Sequence, residues 1–183
     1  MKEWLVNGNL HRLDGPAIIY TDGTQEWWQN NERHRVDGPA YIGADGSQEW
    51  YQNDKLHRVD GPAIIDADGT QEWWQNNEHH RVDGPAVIQA DGSQYWYQND
   101  KLHRVDGPAI IYPNGWQEWW QNGELHRVDG PAVIQADGRQ VWFVKGCVIN
   151  ITEWTDRHDI LAWPNWSSAD KVLFVLTFAG CPA

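Results

Sequence analysis

Six times the chain carries His-Arg-(Val/Leu)-Asp-Gly-Pro-Ala, placing Arg12 with Asp14, Arg35 with Asp37, Arg58 with Asp60, Arg81 with Asp83, Arg104 with Asp106 and Arg127 with Asp129. Imidazole, guanidinium and carboxylate in one short stretch are groups that elsewhere transfer protons or hold phosphate. An active site is singular, however, and six equal sets in a row read as structure. Each Arg and Asp is expected to stabilise a long turn, by an ion pair or by the carboxylate accepting backbone N–H bonds. Distance excludes zinc shared between successive His, because ligands sit about 2 Å from the metal and equivalent hairpins about 10 Å apart. Only His79 and His80 are neighbours, and in a strand they point to opposite faces. No Gly-x-Ser-x-Gly, no phosphate loop and no carboxylate pair outside the repeat occurs, and Cys147 and Cys181 match no zinc spacing. The chain is therefore read as a non-enzyme with no metal and no cofactor.

Tryptophan is the second chemistry, at 14 of 183 residues. Trp4, Trp27, Trp50, Trp73, Trp96, Trp119 and Trp142 recur at one fixed step, bordered by amides such as Gln25 and Gln29. Rings flanked by amides and acids suit a protein partner or a sugar, which makes Trp27, Trp50, Trp73, Trp96 and Trp119 candidate binding residues. Packing along a sheet against β-branched neighbours is their alternative use. Trp116 follows the Asn114-Gly115 turn and has no counterpart in other copies, while Trp154, Trp163 and Trp166 lie outside the repeat. These four are candidate interface residues for being unique.

The elements that position these groups follow from the period. The motif starts at His11, His34, His57, His80, His103 and His126, always 23 residues apart. A half repeat (1–10) and six repeats (11–148) make an array, followed by a C-terminal capping segment (149–183). Pro16 to Tyr20 reads as a strand, Asp22-Gly23 as a turn, Gln25 to Gln29 as the return strand and Asn30-Asn31 as the start of a longer connection. A two-residue turn would set Ile18 opposite Trp27 and Ala17 opposite Trp28, leaving Ala17, Ile19 and Trp28 on the core face. The expected fold is all-β, an antiparallel meander of tandem hairpins forming an elongated twisted sheet. In the tail, Asn150-x-x-Glu153 with Ile151, Trp154, His158 and Leu161 at helical spacing before Pro164 predicts a small helical cap. Lys171 to Phe178 fits a helix or an alternating strand.

Trp-aromatic-x-Asn-x-x-x-His-Arg-x-Asp-Gly-Pro-Ala…Asp-Gly resembles the MORN repeat family, in particular its divergent bacterial and viral variants, over residues 4–148. The resemblance implies a hairpin-per-repeat sheet used in protein interaction or scaffolding. Similar repeats occur in proteins of phages, giant viruses and bacterial antitoxin-like systems. Two departures stand out: Arg12 and its equivalents replace the family's second Gly, and Gln-Glu-Trp replaces Tyr-x-Gly before the central aromatic.

A net charge of −12 argues against nucleic acid and anionic membrane as direct partners and for a basic protein partner. Met1 to Leu10 has no basic region leading into an apolar run, and no stretch has the length of a membrane span, so the expectation is a cytoplasmic protein. The functional expectation is a non-enzymatic repeat protein that binds a partner through an acidic, aromatic sheet surface, in a sharper form as a viral or antitoxin-like inhibitor of a host protein. Its alternative is a module binding a glycan or nucleotide on the Trp and Gln rows.

Overall fold

The computed structural model describes residues 1–148, and over these the chain is all β. Thirteen strands form one antiparallel meander, and seven two-stranded hairpins branch from it. The first full repeat shows the plan. Strand Ile18–Ile19 pairs with Gln25–Glu26, which pairs in turn with Tyr41–Ile42 of the next repeat. The chain divides inside the array into two compact units, Met1–Asp91 with Tyr97–Asp100, and Gly92–Trp96 with the described residues from Lys101 on.

The register differs by one residue from the expected one. Ile18 stands opposite Glu26 and Ile19 opposite Gln25, so Ile18 does not face Trp27. The cause is the loop. A two-residue type I′ turn needs positive φ at both residues, yet Gly23 has φ 99° and Asp22 is not in that region. Instead Tyr20 N–H donates to Thr24 C=O and Gly23 N–H to Tyr20 C=O, closing a loop of Thr21, Asp22 and Gly23. The Asp22 carboxylate accepts the N–H of Thr24 at 2.9 Å. A slip of one residue moves every side chain to the other face. Ile18, Glu26 and Trp28 therefore share one face, and Ile19, Gln25 and Trp27 the other. Ile18 and its equivalents Val87, Ile110 and Val133 are buried, which makes theirs the better-covered face.

The second correction concerns the connection after Gln29, which is itself a hairpin. At Trp27 the strand changes partners: its N–H donates to Ala40 C=O, and its C=O accepts from His34 N–H. Strand Trp28–Gln29 then pairs with Glu32–Arg33. Asn30 (φ 54°) and Asn31 (φ 65°) form the two-residue type I′ turn between them, with both residues left-handed as that turn requires. Each repeat thus holds two hairpins at different edges. Ala17, Ala40, Ala63, Ala86, Ala109 and Ala132 lie at the crossing between them and are fully buried. A methyl group fills that space, and a larger side chain would have to displace packed backbone.

Candidate functional site: the Arg-capped loop and its grooves

The His-Arg-x-Asp-Gly-Pro stretch folds around its arginine. The Arg12 guanidinium lies 4.2 Å from the centre of the Trp4 ring. Its Nε donates to Asp14 Oδ1 at 2.9 Å and its Nη1 to the Pro16 carbonyl at 3.2 Å. Gly15 lies against the guanidinium on another side, where a Cβ would approach Arg12 Cζ to 2.9 Å. One cation is thereby held by a ring face, a carboxylate, a carbonyl and a glycine, which accounts for Arg, Asp, Gly and Pro in one motif. The stack repeats for Arg35 on Trp27 (4.2 Å), Arg58 on Trp50 (4.1 Å), Arg81 on Trp73 (4.0 Å), Arg104 on Trp96 (4.1 Å) and Arg127 on Trp119 (4.0 Å). Each of these tryptophans therefore has one ring face covered by an arginine of its own array.

The same loop ties successive two-stranded hairpins together. Arg12, which follows the Leu5–Leu10 hairpin, donates its N–H to the carbonyl of Trp28 in the next one. Asn30 N–H donates to Nδ1 of His11 at 3.2 Å. The pattern recurs at His34 with Asn53, His57 with Asn76, His80 with Asn99, His103 with Asn122 and His126 with Lys145. His and Arg are used internally, and no cluster of three His, Cys, Asp or Glu able to hold a metal occurs among the described residues.

What the loop leaves outside is the pair at its apex. Leu13, Val36, Val59, Val82 and Val105 are 73–77% exposed. The carboxylates beside them, Asp14, Asp37, Asp60, Asp83 and Asp106, have side chains 79–86% exposed even though each is bonded to an arginine. The hydrogen bond from that arginine, and then its charge, hold these five carboxyls below the ordinary aspartate range. They are ionised at neutral pH. The apex aliphatics escaped the sequence reading, although their signal was present: an aliphatic residue in every copy of an otherwise polar turn.

Between consecutive loops lie open grooves of about 520 Å³ and 620 Å³ in the first unit and about 570 Å³ in the second. The first has Leu13 and Asp14 on one wall, Val36 and Asp37 on the other, and Trp27, Gln29 and His34 between them. Arg12 and Arg35 also line it, so its formal charge cancels within the loops. The acidic excess lies elsewhere, at hairpin tips such as Asp22, Asp45 and Asp68 and on the Glu26 face. There Glu26 accepts from Trp28 Nε1 (2.7 Å), Arg33 Nη2 (3.2 Å) and Tyr20 Oη (3.3 Å).

That face also holds two singular residues. Arg33 and His79 occupy the position that is Leu in Leu10, Leu56, Leu102 and Leu125. Arg33 sits within 5.3–5.7 Å of the Trp28, Tyr41 and Tyr51 rings. His79 lies between Trp74 (3.6 Å) and Tyr97 (5.1 Å), with Nε2 3.0 Å from Glu72 and Nδ1 3.3 Å from Asp100. The hydrogen bond to His79 keeps the Glu72 carboxyl low, against the effect of its burial. Sequence reasoning missed both as site residues because the repeat had drawn attention to what does not vary.

Trp116 is half-buried over its own hairpin, its Nε1–H donating to Glu118 at 2.7 Å. Trp154, Trp163, Trp166 and the helical cap lie outside the described residues. Among the described residues no helix is long and apolar enough to cross a membrane. Compared with known proteins, the chain matches no family model and no curated protein.

Proposed function

We propose that this chain is a non-catalytic, MORN-like repeat protein that binds a basic protein partner in the cytosol. One observation carries the reading: five of the six copies spend their His, Arg and Trp on internal contacts and turn outward an aliphatic residue beside an arginine-bound carboxylate. The charge of −12 steers a cationic partner, and the apex residues supply contact. The contact surface in this reading is the loop row and not the rings of Trp27, Trp50, Trp73, Trp96 and Trp119, each capped by an arginine. Pull-down from lysate at low and high salt tests it: a basic protein recovered at low salt and released at high salt is expected, and capture indifferent to salt counts against it. A narrower form is a phage, viral or antitoxin-like inhibitor of a host protein, checked by rescue of growth when the chain is co-expressed with a host nuclease or toxin.

A second reading is favoured by the grooves themselves, which set Trp27, Gln29 and His34 beside open space. In it the grooves take a glycan or nucleotide. Quenching of tryptophan fluorescence by such a ligand, saturable and insensitive to salt, would support it over the protein partner.

A further inference from the structure

We propose that the loop row of the first unit seats a polyproline II segment carrying a cation at every third residue. This rests on the reading of a basic protein partner and specifies which segment of the partner is bound, and where. The first unit presents Leu13, Val36, Val59 and Val82 at equivalent loop apices. Equivalent strands of successive repeats are two places apart in the meander, so the apices recur at about 9.6 Å.

Only some polymers match that step. Polyproline II has three residues per turn and about 3.1 Å per residue, so one side of it recurs every ~9.3 Å. An α-helix brings a residue back to one side after seven positions, or about 10.5 Å. Over the three intervals of the first unit the polyproline helix drifts by about 1 Å, whereas the α-helix drifts by nearly 3 Å. A β-strand repeats its faces at about 6.7 Å, misses a single interval by about 3 Å and so matches only alternate apices.

The chemistry of the groove agrees with the period. Its walls are exposed aliphatic side chains, and Trp27 lies between them, a setting for proline rings. A polyproline II backbone has carbonyls without internal partners, and the Gln29 side-chain amide in the groove carries N–H groups to meet them. Charge complementarity selects the third residue. The arginines lie low, with side chains 23–24% exposed, while the Asp side chains stand out at 79–86%. A ligand arriving from outside therefore meets carboxylate first, and a lysine stem lies along the valine while its ammonium reaches the Asp oxygen not bonded to arginine.

The test uses the full chain and labelled peptides in fluorescence anisotropy. The probes are four Pro-Pro-Lys triplets, four Gly-Ser-Lys triplets of equal charge, an α-helical peptide with Lys at every seventh position, poly-lysine and a β-linked glucose oligomer. The Pro-Pro-Lys peptide is expected to bind at least about tenfold tighter than the Gly-Ser-Lys peptide and the helix. Val36→Ser with Val59→Ser, and separately Asp37→Asn with Asp60→Asn, should each weaken it about tenfold, while Glu32→Gln with Glu78→Gln, an equal loss of charge on other hairpins, should change it less than about twofold. Circular dichroism confirms that each variant is folded, and the valine pair leaves the Arg–Asp bonds intact should the aspartate pair unfold. Equal binding of all cationic peptides, or indifference to both loop pairs, overturns the proposal and leaves the basic-partner reading standing. Failure of every cationic probe, poly-lysine included, overturns both, and binding of the glucose oligomer alone transfers the groove to the glycan reading.

Discussion

At the scale of single residues, the array depends on an arginine held between a tryptophan and a glycine. Arg58 lies 4.1 Å from the Trp50 ring centre and donates to Asp60 at 2.9 Å and to the Pro62 carbonyl at 3.1 Å. A Cβ on Gly61 would come within 2.9 Å of Arg58 Cζ, and a guanidinium fixed on three sides has nowhere to move. Gly61→Ala is therefore expected to cost about 1–2 kcal/mol in urea unfolding, although Gly→Ala at an unstrained site usually stabilises slightly. The cause can be isolated. In an Arg58→Ala background the same substitution should be nearly neutral, so the double-mutant cycle gives a coupling of about 1 kcal/mol or more. An equal cost in both backgrounds would show that the glycine is needed for another reason. This much was partly legible in the sequence, since an ion pair of Arg12 with Asp14 follows from spacing. The stacking on Trp4 was not, because it joins residues eight apart through a strand reversal that only the second hairpin creates. Leu13 and its equivalents went unread for a related reason: an aliphatic residue in a turn reveals its exposure only when the turn is folded.

At the scale of elements, the seven small hairpins are linked turn to strand. Asn31 N–H donates to the Leu10 carbonyl, and its side-chain oxygen accepts Leu10 N–H at 2.7 Å. Asp54 does the same for Arg33, Asn77 for Leu56 and Asp100 for His79. The fifth full copy has Gly123, which keeps the bond to the Leu102 carbonyl but has no side chain to accept the Leu102 N–H. Its φ is 84°, and the nearest atoms to an added Cβ are on Lys101 at 3.8 Å, so there is room. Gly123→Asn should raise stability by about 0.5–1.5 kcal/mol, because Asn tolerates this backbone region and restores the missing acceptor. Gly123→Ala, which brings the strain without the acceptor, should lower it. Thermal melts of the two variants check the pair, and stabilisation by neither would refute the turn-to-strand account. The same scale shows what sequence reading reaches. Strands, turns and the 23-residue step were legible because Gly, Asn and Asp mark turns and the repeat averages out accident. The register was not, because Asp-Gly serves both a two-residue turn and a three-residue loop ending in a left-handed Gly, and the choice lay with the Tyr20–Thr24 closing pair. Asn30-Asn31 was legible as a turn signal, but an apolar period beyond it was lacking, since Glu32–Arg33 is a strand of only two residues.

At the scale of the whole chain, repetition makes small electrostatic effects add with one sign. Asp14, Asp37, Asp60, Asp83 and Asp106 are all held low by their arginines, first through the hydrogen bond and then through charge. An acid whose pKa is lower in the folded state contributes stability that is complete above its unfolded value and is lost as pH falls through the folded one. For these groups the loss begins near the ordinary aspartate value of 3.8 and runs below it. His126 acts in a separate window. Burial, and then Lys145, lower its pKa from the ordinary 6.5, so the unfolded chain takes up the proton first and stability falls as pH drops below that value. Relief of self-repulsion in a chain of charge −12 works against both trends. That term is screened over about 8 Å at physiological salt, whereas the arginine contacts are direct. Melting temperature in 0.15 M salt should therefore decline in two stages, one below about pH 6.5 and a steeper one below about pH 4. His126→Gln should remove the first stage and leave the second. Asp37→Asn with Asp60→Asn should lower stability at neutral pH and flatten the second, since two of the arginine-bound carboxyls that titrate there are gone. Melts at half-unit steps from pH 8 to about pH 3 follow both. A single decline unchanged by either variant would mean that general charge, and not the arginine-capped loops, sets the acid limit of the array.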